Sequence, residues 1–259
     1  MLDGAIAVVT GGSQGMGQAI CLRLAQEGAR IAILDAQPAD RTVQLLADQG
    51  TEAWYAQTDV TDPDGVEASF AQLEVDWGSP AVLANVAGIF AAIPFLDTAP
   101  DVWDRVMNVN ARGLFLCSQS AARRMRDAGG RIINILSTAS AQGFALESAY
   151  CASKGAALLL TKVMAIELAP YGISVNGVGP GTIQTAMGSA YLGAGAIAEH
   201  ELSRTPLARF GRPEDIAEAV AFLATRASWM TGTVIYVDGG FLATGLPILQ
   251  GMVGGSDSG

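Results

Sequence analysis

Histidine is almost absent: the chain has one, His200, and no cluster of potential metal ligands stands around it. Metal-dependent chemistry therefore has no obvious ligand set. Cysteine is scarce as well. Cys21, Cys117 and Cys151 are odd in number, lack CxxC spacing and sit in apolar stretches, which argues against a disulfide scaffold and for buried thiols in a reducing compartment. Positive charge is in deficit, with 15 Lys+Arg against 25 Asp+Glu and a net charge of −10. Such a surface repels phosphate backbones and anionic membranes, so nucleic acid is not an expected partner. The opening "MLDGAIAVVTGG" has no basic region followed by a long apolar one, and no uninterrupted apolar run approaches the roughly 20 residues of a membrane span. These absences lead us to expect a cytoplasmic protein without a membrane partner.

What is present is core material: half of the 259 residues are hydrophobic, enough for one large domain. Short β-branched and aliphatic runs at 5–10, 30–34, 81–85, 131–136, 173–178 and 233–237, with a weaker one at 53–57, read as strands. Helical periodicity occupies 16–27, 62–77, 102–126, 147–168 and 214–224. Near-continuous apolar strands alternating with helices imply a parallel sheet covered on both faces. The expected fold is a single-domain, doubly wound α/β (Rossmann) fold. Asp62 before Pro63, and Pro213 before Glu214, mark helix starts, while "PYG" at 170–172 ends the long helix. Two segments break the rhythm: 186–208, Gly- and Ala-rich, which reads as a long mobile substrate-loop insertion, and a tail over 241–259 whose last residues are expected to be disordered.

After the first strand comes "TGGSQGMG", with glycines at Gly11, Gly15 and Gly17. Backbone without Cβ can approach a pyrophosphate, and the helix beginning near Met16 offers its N-terminus to the charge. The next strand runs into Asp35, placed to accept hydrogen bonds from the adenosine ribose hydroxyls and to repel a ribose phosphate. Ser13, Gln14 and Ala36 supply no cation to neutralise such a phosphate. The expected cofactor is therefore NAD. Asp59, in "TDVTD" with Val60, could meet the adenine edge, though nearby Asp62 serves equally well as a helix cap.

Tyr150 and Lys154 in "AYCASK" lie one helical turn apart on the same face. An ammonium near a phenol favours phenolate and lowers its pKa of about 10 toward the working range, an oxidised nicotinamide ring adds a second positive charge, and the phenol can then act as a general base for alcohol oxidation or an acid for ketone reduction. Alone, the pair is an ordinary solvated face of a helix. Its company is Ser137 at the end of the strand "RIINILS" and Asn110 in "NVNARGLF", and ends of parallel strands are where such sheets place ligands.

Over residues 2–241 the chain closely resembles the short-chain dehydrogenase/reductase family. The resemblance is carried by "TGGSQGMG", "NVAG" at 85–88, "NVN", Ser137 with "YCASK", "GPGTIQT" at 179–185, "GRPEDIA" and "VDGG". It implies that Tyr150 transfers the proton, that Ser137 hydrogen-bonds the substrate oxygen, and that Lys154 holds the nicotinamide ribose while tuning the phenol. Asn110 is implied to anchor a water in a proton relay. Asn85, Ala87 and Gly88 are implied to line the cofactor channel, and Pro180, Gly181, Ile183 and Thr185 to flank the carboxamide. Asn85 could instead tie neighbouring strands, and Thr185 could cap a helix. Val86 and Leu136 depart from frequent family residues, at positions with no proposed catalytic role.

The substrate pocket is expected to draw on 89–95, 139–147 and the insertion, with Phe90, Phe144, Leu146 and Met187 apolar and Gln142 and Glu147 able to read a hydroxyl. The alternatives are that Phe90 or Phe144 packs under a loop and that Glu147 is the first-turn acid of its helix. His200 reads as a loop residue, since Tyr150 fills the acid/base role. The expected activity is NAD-dependent interconversion of a secondary alcohol and a ketone. Sugar or polyol dehydrogenase, β-ketoacyl reductase and a non-catalytic NAD-binding regulator are the alternatives. The family suggests a homotetramer built on the two long helices; Leu246, Pro247, Ile248 and Leu249 extend beyond the family's usual end and are expected to pack on a neighbouring subunit and help close a pocket.

Overall fold

β1 (Ile6–Thr10) sends Ile6 and Val8 to one face of its sheet and Ala7 and Val9 to the other, and all four are buried. A strand apolar on both sides needs cover on both sides. The computed structural model, which describes residues 1–185 and 195–244, supplies that cover with helices. β2 (Arg30–Asp35), β3 (Ala53–Gln57), β4 (Val82–Asn85), β5 (Gly130–Ile135), β6 (Ile173–Pro180) and β7 (Val234–Val237) complete a parallel sheet of 7 strands in the order β3-β2-β1-β4-β5-β6-β7.

The helices are α1 (Gly15–Gln26), α2 (Asp40–Asp48), α3 (Pro63–Asp76), α4 (Pro100–Met107), α5 (Leu114–Met125), α6 (Ser148–Leu168), α7 (Gly195–Ser203) and α8 (Pro213–Thr225). Leu24 of α1, Leu46 of α2 and Val220 of α8 close one face of the sheet. Phe70 of α3, Cys117 of α5 and Ala157 of α6 close the other. The expected doubly wound fold is what forms.

Function depends on where the strand order reverses. From β1 the chain runs outward to β2 and β3, then returns to place β4 on the other side of β1. The loops after β1 and β4 diverge to opposite faces and leave a crevice at the strand ends. Thr10 pairs with Asn85 in register, so both loops begin level. The Thr10 hydroxyl then accepts hydrogen bonds from the Val86 (3.0 Å) and Ala87 (3.2 Å) amides, tying one rim of the crevice to the other.

Local details differ from the sequence expectations. α2 was not anticipated, because only Thr42 and Leu46 of it are buried and its apolar signal is correspondingly weak. The helix expected over 102–126 is interrupted by a π turn at Asn108–Gly113 between α4 and α5. A π turn keeps the chain helical while widening one turn, so apolar periodicity passes through it unmarked. The insertion expected as a loop contains α7, whose alanines favour helix. Gly172, at φ 69°, ends the long helix as "PYG" suggested. Met187 and the tail residues 246–249 lie outside the described residues. Ser148–Tyr171 is long enough to cross a membrane and contains an 18-residue window of mean hydropathy 1.2, yet it packs on β6 and buries Ser153, Lys154 and Thr161 on one side.

Candidate active site

The crevice floor is bare backbone. Gly11 has φ 68°, and a Cβ there would stand 2.9 Å from the Ala87 Cα; a Cβ on Gly17 would collide with the carbonyl of Gly11. Only glycine lets the loop fold this tightly and still present its amides. Gln14 precedes α1 without capping it by a side-chain hydrogen bond, so the helix N-terminus is left for an anion. Ser13, Gln14, Gly15 and Met16 line the resulting cleft of about 460 Å³, as do Asp59, Val60, Ala87 and Gly88 opposite.

Asp35 closes the far end. Its Oδ2 accepts from the Ser13 amide (2.9 Å) and its Oδ1 from the Gln37 amide (2.9 Å). Each oxygen keeps acceptor capacity for a ribose hydroxyl. Among the described lining residues there is no Lys or Arg. Thr42 of α2 supports the loop from behind: its hydroxyl, buried, donates to the Ser13 carbonyl (3.0 Å) and accepts from Gln18 Nε2 (2.9 Å). Asp59 Oδ1 accepts from the amide and hydroxyl of Thr61, both at 2.8 Å, and it is Asp62 that caps α3 through the Asp64 amide (3.1 Å). A dinucleotide fits this donor set: unobstructed amides for phosphate and a carboxylate for ribose.

Gly88, Met16 and Thr185 line both this cleft and a second cavity of about 140 Å³, so the two are contiguous. Ser137, Tyr150 and Lys154 converge on that second cavity, together with Pro180, Gly181 and Ile183. β5 delivers Ser137 at its end, where the hydroxyl accepts from the Ala139 amide (3.1 Å) and bonds to Tyr150. α6 delivers the other two from successive turns. Lys154, 5% exposed, donates to the Ile135 carbonyl (2.8 Å), and its Nζ lies 5.7 Å from the Tyr150 ring centre. Phe90 packs edge-on against Tyr150 at 5.0 Å.

Burial dominates the electrostatics. Desolvation pushes the Tyr150 phenol up to about 12, against which the Ser137 hydrogen bond pulls downward. Desolvation also pulls Lys154 down to about 8. In the protein alone burial thus outweighs the pull of the neighbouring ammonium, and the expected lowering is left to the second positive charge of an oxidised nicotinamide.

Asn110, buried within the π turn, grips the strand β4 loop: Oδ1 accepts from the Ile89 amide (2.8 Å), and Nδ2 donates to the Ile89 carbonyl (2.9 Å) and the Ser153 hydroxyl (3.0 Å). Asn85 takes the structural alternative. It points into the protein, donating to Ser118 (2.8 Å) and Asn134 (2.9 Å), and lines neither cavity. Phe144 and Glu147 line this second cavity, whereas Gln142 and Leu146 do not; Leu146 is 47% exposed. Glu201 of α7 lines the same cavity and was not foreseen, nor was Thr182, whose hydroxyl donates to Glu201 Oε2 (3.0 Å). His200, its neighbour, is exposed.

Comparison with known proteins agrees with this geometry. A family model described as Enoyl-(Acyl carrier protein) reductase matches residues 11–242. The chain is 39% identical over 252 residues to 2-(S)-hydroxypropyl-CoM dehydrogenase 3 of Xanthobacter autotrophicus, covering 93% of this chain and 98% of that one. It is also 39% identical over 239 residues to the 3-oxoacyl-[acyl-carrier-protein] reductase FabG of Staphylococcus aureus, covering 90% and 96%. A candidate 2-deoxy-D-gluconate 3-dehydrogenase from Agrobacterium tumefaciens, solved with bound NADP, superposes with a TM-score of 0.88 at 36% identity, over 93% of this chain and 98% of that one. These relatives are oxidoreductases of a family that binds a nicotinamide cofactor. With the sheet order, the glycine-floored crevice and the Ser137, Tyr150 and Lys154 cluster, they establish that the chain belongs to the short-chain dehydrogenase/reductase family.

Proposed function

We propose that the protein interconverts a secondary alcohol and a ketone by hydride transfer with NAD. The observation that carries this reading is the meeting of Ser137, Tyr150 and Lys154 on a cavity contiguous with a dinucleotide cleft that ends in Asp35. When bound, the nicotinamide ring supplies the hydride acceptor or donor. The Ser137 hydroxyl hydrogen-bonds the substrate oxygen and orients it toward Tyr150. The Tyr150 phenol oxygen then takes the alcohol proton in oxidation, or returns it in reduction. Lys154, fixed by the Ile135 carbonyl, holds a positive charge beside the phenol. Since burial sets the phenol near 12 in the protein alone, base catalysis requires further positive charge in the site, which an oxidised nicotinamide brings.

Asp35 favours NAD over NADP, because a ribose phosphate would meet a carboxylate with no cation among the described residues lining the cleft. A non-catalytic regulator would be expected to have lost one of the three reactive side chains, and all are in place. The sequence expectation of a homotetramer is supported by Leu159, Val163 and Ile166, which leave an apolar row exposed on α6. The cytoplasmic expectation is supported by the buried thiols of Cys21 and Cys117, whose pKa values burial raises. Tyr150→Phe tests the chemistry: turnover should fall by about 10²- to 10⁴-fold with NAD affinity retained. A variant that kept most of its turnover would remove Tyr150 from the proton transfer.

A further inference from the structure

Two carboxylates border the reaction cavity. Glu147 comes from the entry to α6 and is 6% exposed; Glu201 comes from α7 and is 8% exposed. Lys154 is the sole cation among the described lining residues, and its ammonium is engaged by the Ile135 carbonyl. The remaining wall is largely apolar, with Phe90, Phe144 and Ile183. Burying a carboxylate in such a place costs several kcal/mol unless hydrogen bonds meet it. Among the described residues, the Glu201 side chain is met by the Thr182 hydroxyl at Oε2 (3.0 Å). Its backbone is held as well, the carbonyl accepting from Thr205 Oγ1 (2.8 Å), so the side chain is delivered from an anchored turn.

A carboxylate with spare acceptor capacity facing a cavity selects for donors and against anions. We infer that Glu201 accepts a hydrogen bond from a second hydroxyl of the substrate, so that the preferred substrate is an uncharged polyol or sugar. A simple alcohol lacks the donor, and a hydroxy acid brings like charge to Glu147 and Glu201. The inference rests on the alcohol and ketone reading above and adds the group that distinguishes among alcohols. Glu201 contacts the part of the substrate that does not react, so its effect belongs mainly in KM.

The test uses five-carbon alcohols that differ in the groups they carry: pentan-2-ol, the pentitols, 4-hydroxypentanoate and 5-aminopentan-2-ol. Each is assayed by NAD reduction with the full-length protein, and pentan-2-one by NADH oxidation. At least one pentitol should exceed pentan-2-ol in kcat/KM by about tenfold to a hundredfold, the scale of a hydrogen bond to a charged acceptor. The hydroxy acid should fall below pentan-2-ol. In Glu201→Gln, which preserves size and can still accept from Thr182, the pentitol preference should shrink by about tenfold through KM, and the hydroxy acid should gain. The proposal is overturned if no pentitol surpasses pentan-2-ol, if the amine is the best substrate, or if Glu201→Gln leaves these ratios unchanged. Turnover of pentan-2-ol or pentan-2-one in the wild type reports hydride transfer itself. Its presence with any of those outcomes sinks only the Glu201 assignment, while its absence with every probe sinks the underlying reading too.

Discussion

Lys154 serves the site at a cost to itself, because the burial that places its ammonium beside Tyr150 also lowers its pKa from 10.5 to about 8. Between those values the unfolded chain holds a proton that the folded chain has released. Folding stability from this group is therefore complete above 10.5 and is lost as pH falls through about 8. Tyr150 runs the other way: raised from 10.0 to about 12, it contributes below 10 and loses that contribution as pH rises through 12. Urea unfolding of the cofactor-free protein should show the wild type gaining stability relative to Lys154→Met from pH 8 to 10; parallel curves would contradict the burial argument. At the nucleotide end, Asp35→Ala should raise the ratio of kcat/KM with NADP to that with NAD by about a hundredfold, since like charge at close quarters costs several kcal/mol. An unchanged ratio would relocate the selectivity. The placement of Asp35 and Ser137 at strand ends and of Tyr150 and Lys154 on one helical face was legible from local geometry, while the roles of Ser137, Tyr150 and Lys154 came from the family resemblance. Asn85, Gln142 and Glu201 were not, since a side chain near a strand end or in a loop can turn inward or outward according to packing that arises only in the folded chain.

At the level of elements, the π turn shows how a helix can change its pitch to serve a neighbour. Asn110 sits within it and makes its hydrogen bonds to the Ile89 amide and carbonyl and to Ser153, joining the loop after β4 to α6. Asn110→Leu would leave those buried groups without their partner, and should cost about 2 to 4 kcal/mol in denaturant unfolding. Cofactor affinity should weaken with it, because Gly88 lies beside Asn110 and lines the cleft. A loss below roughly 1 kcal/mol would mean that water replaces the amide without penalty. The strands and long helices were readable from apolar periodicity, since double-sided burial in a parallel sheet leaves a strong signal. α2 was not, because it contributes little to the core and is held instead by Thr42 behind the nucleotide loop.

For the molecule as a whole, the outer side of α6 is as informative as its inner one. Leu159, Val163 and Ile166 are 64%, 46% and 76% exposed and fall along one face, while Phe115 of α5, 41% exposed, stands nearby in the groove between these helices. A second copy covering this face would bury what water now meets. Leu159→Glu combined with Ile166→Glu should therefore reduce the native mass on sizing columns or light scattering, with the circular dichroism spectrum kept; an unaltered assembly would place the contact elsewhere. The same large-scale view separates two parts of the site. Tyr150, Ser137 and Lys154 are mounted on the sheet and α6, but Glu201 rides on α7, which is tied back to the frame through Leu207 N and the Gly239 carbonyl (3.1 Å). On the proposed function, and with the role inferred for Glu201, reactivity and preference would thus be inherited on different pieces of chain. Rewriting residues 195–207 alone offers a route to new substrates, in evolution or in the laboratory, with the proton-transfer apparatus left intact.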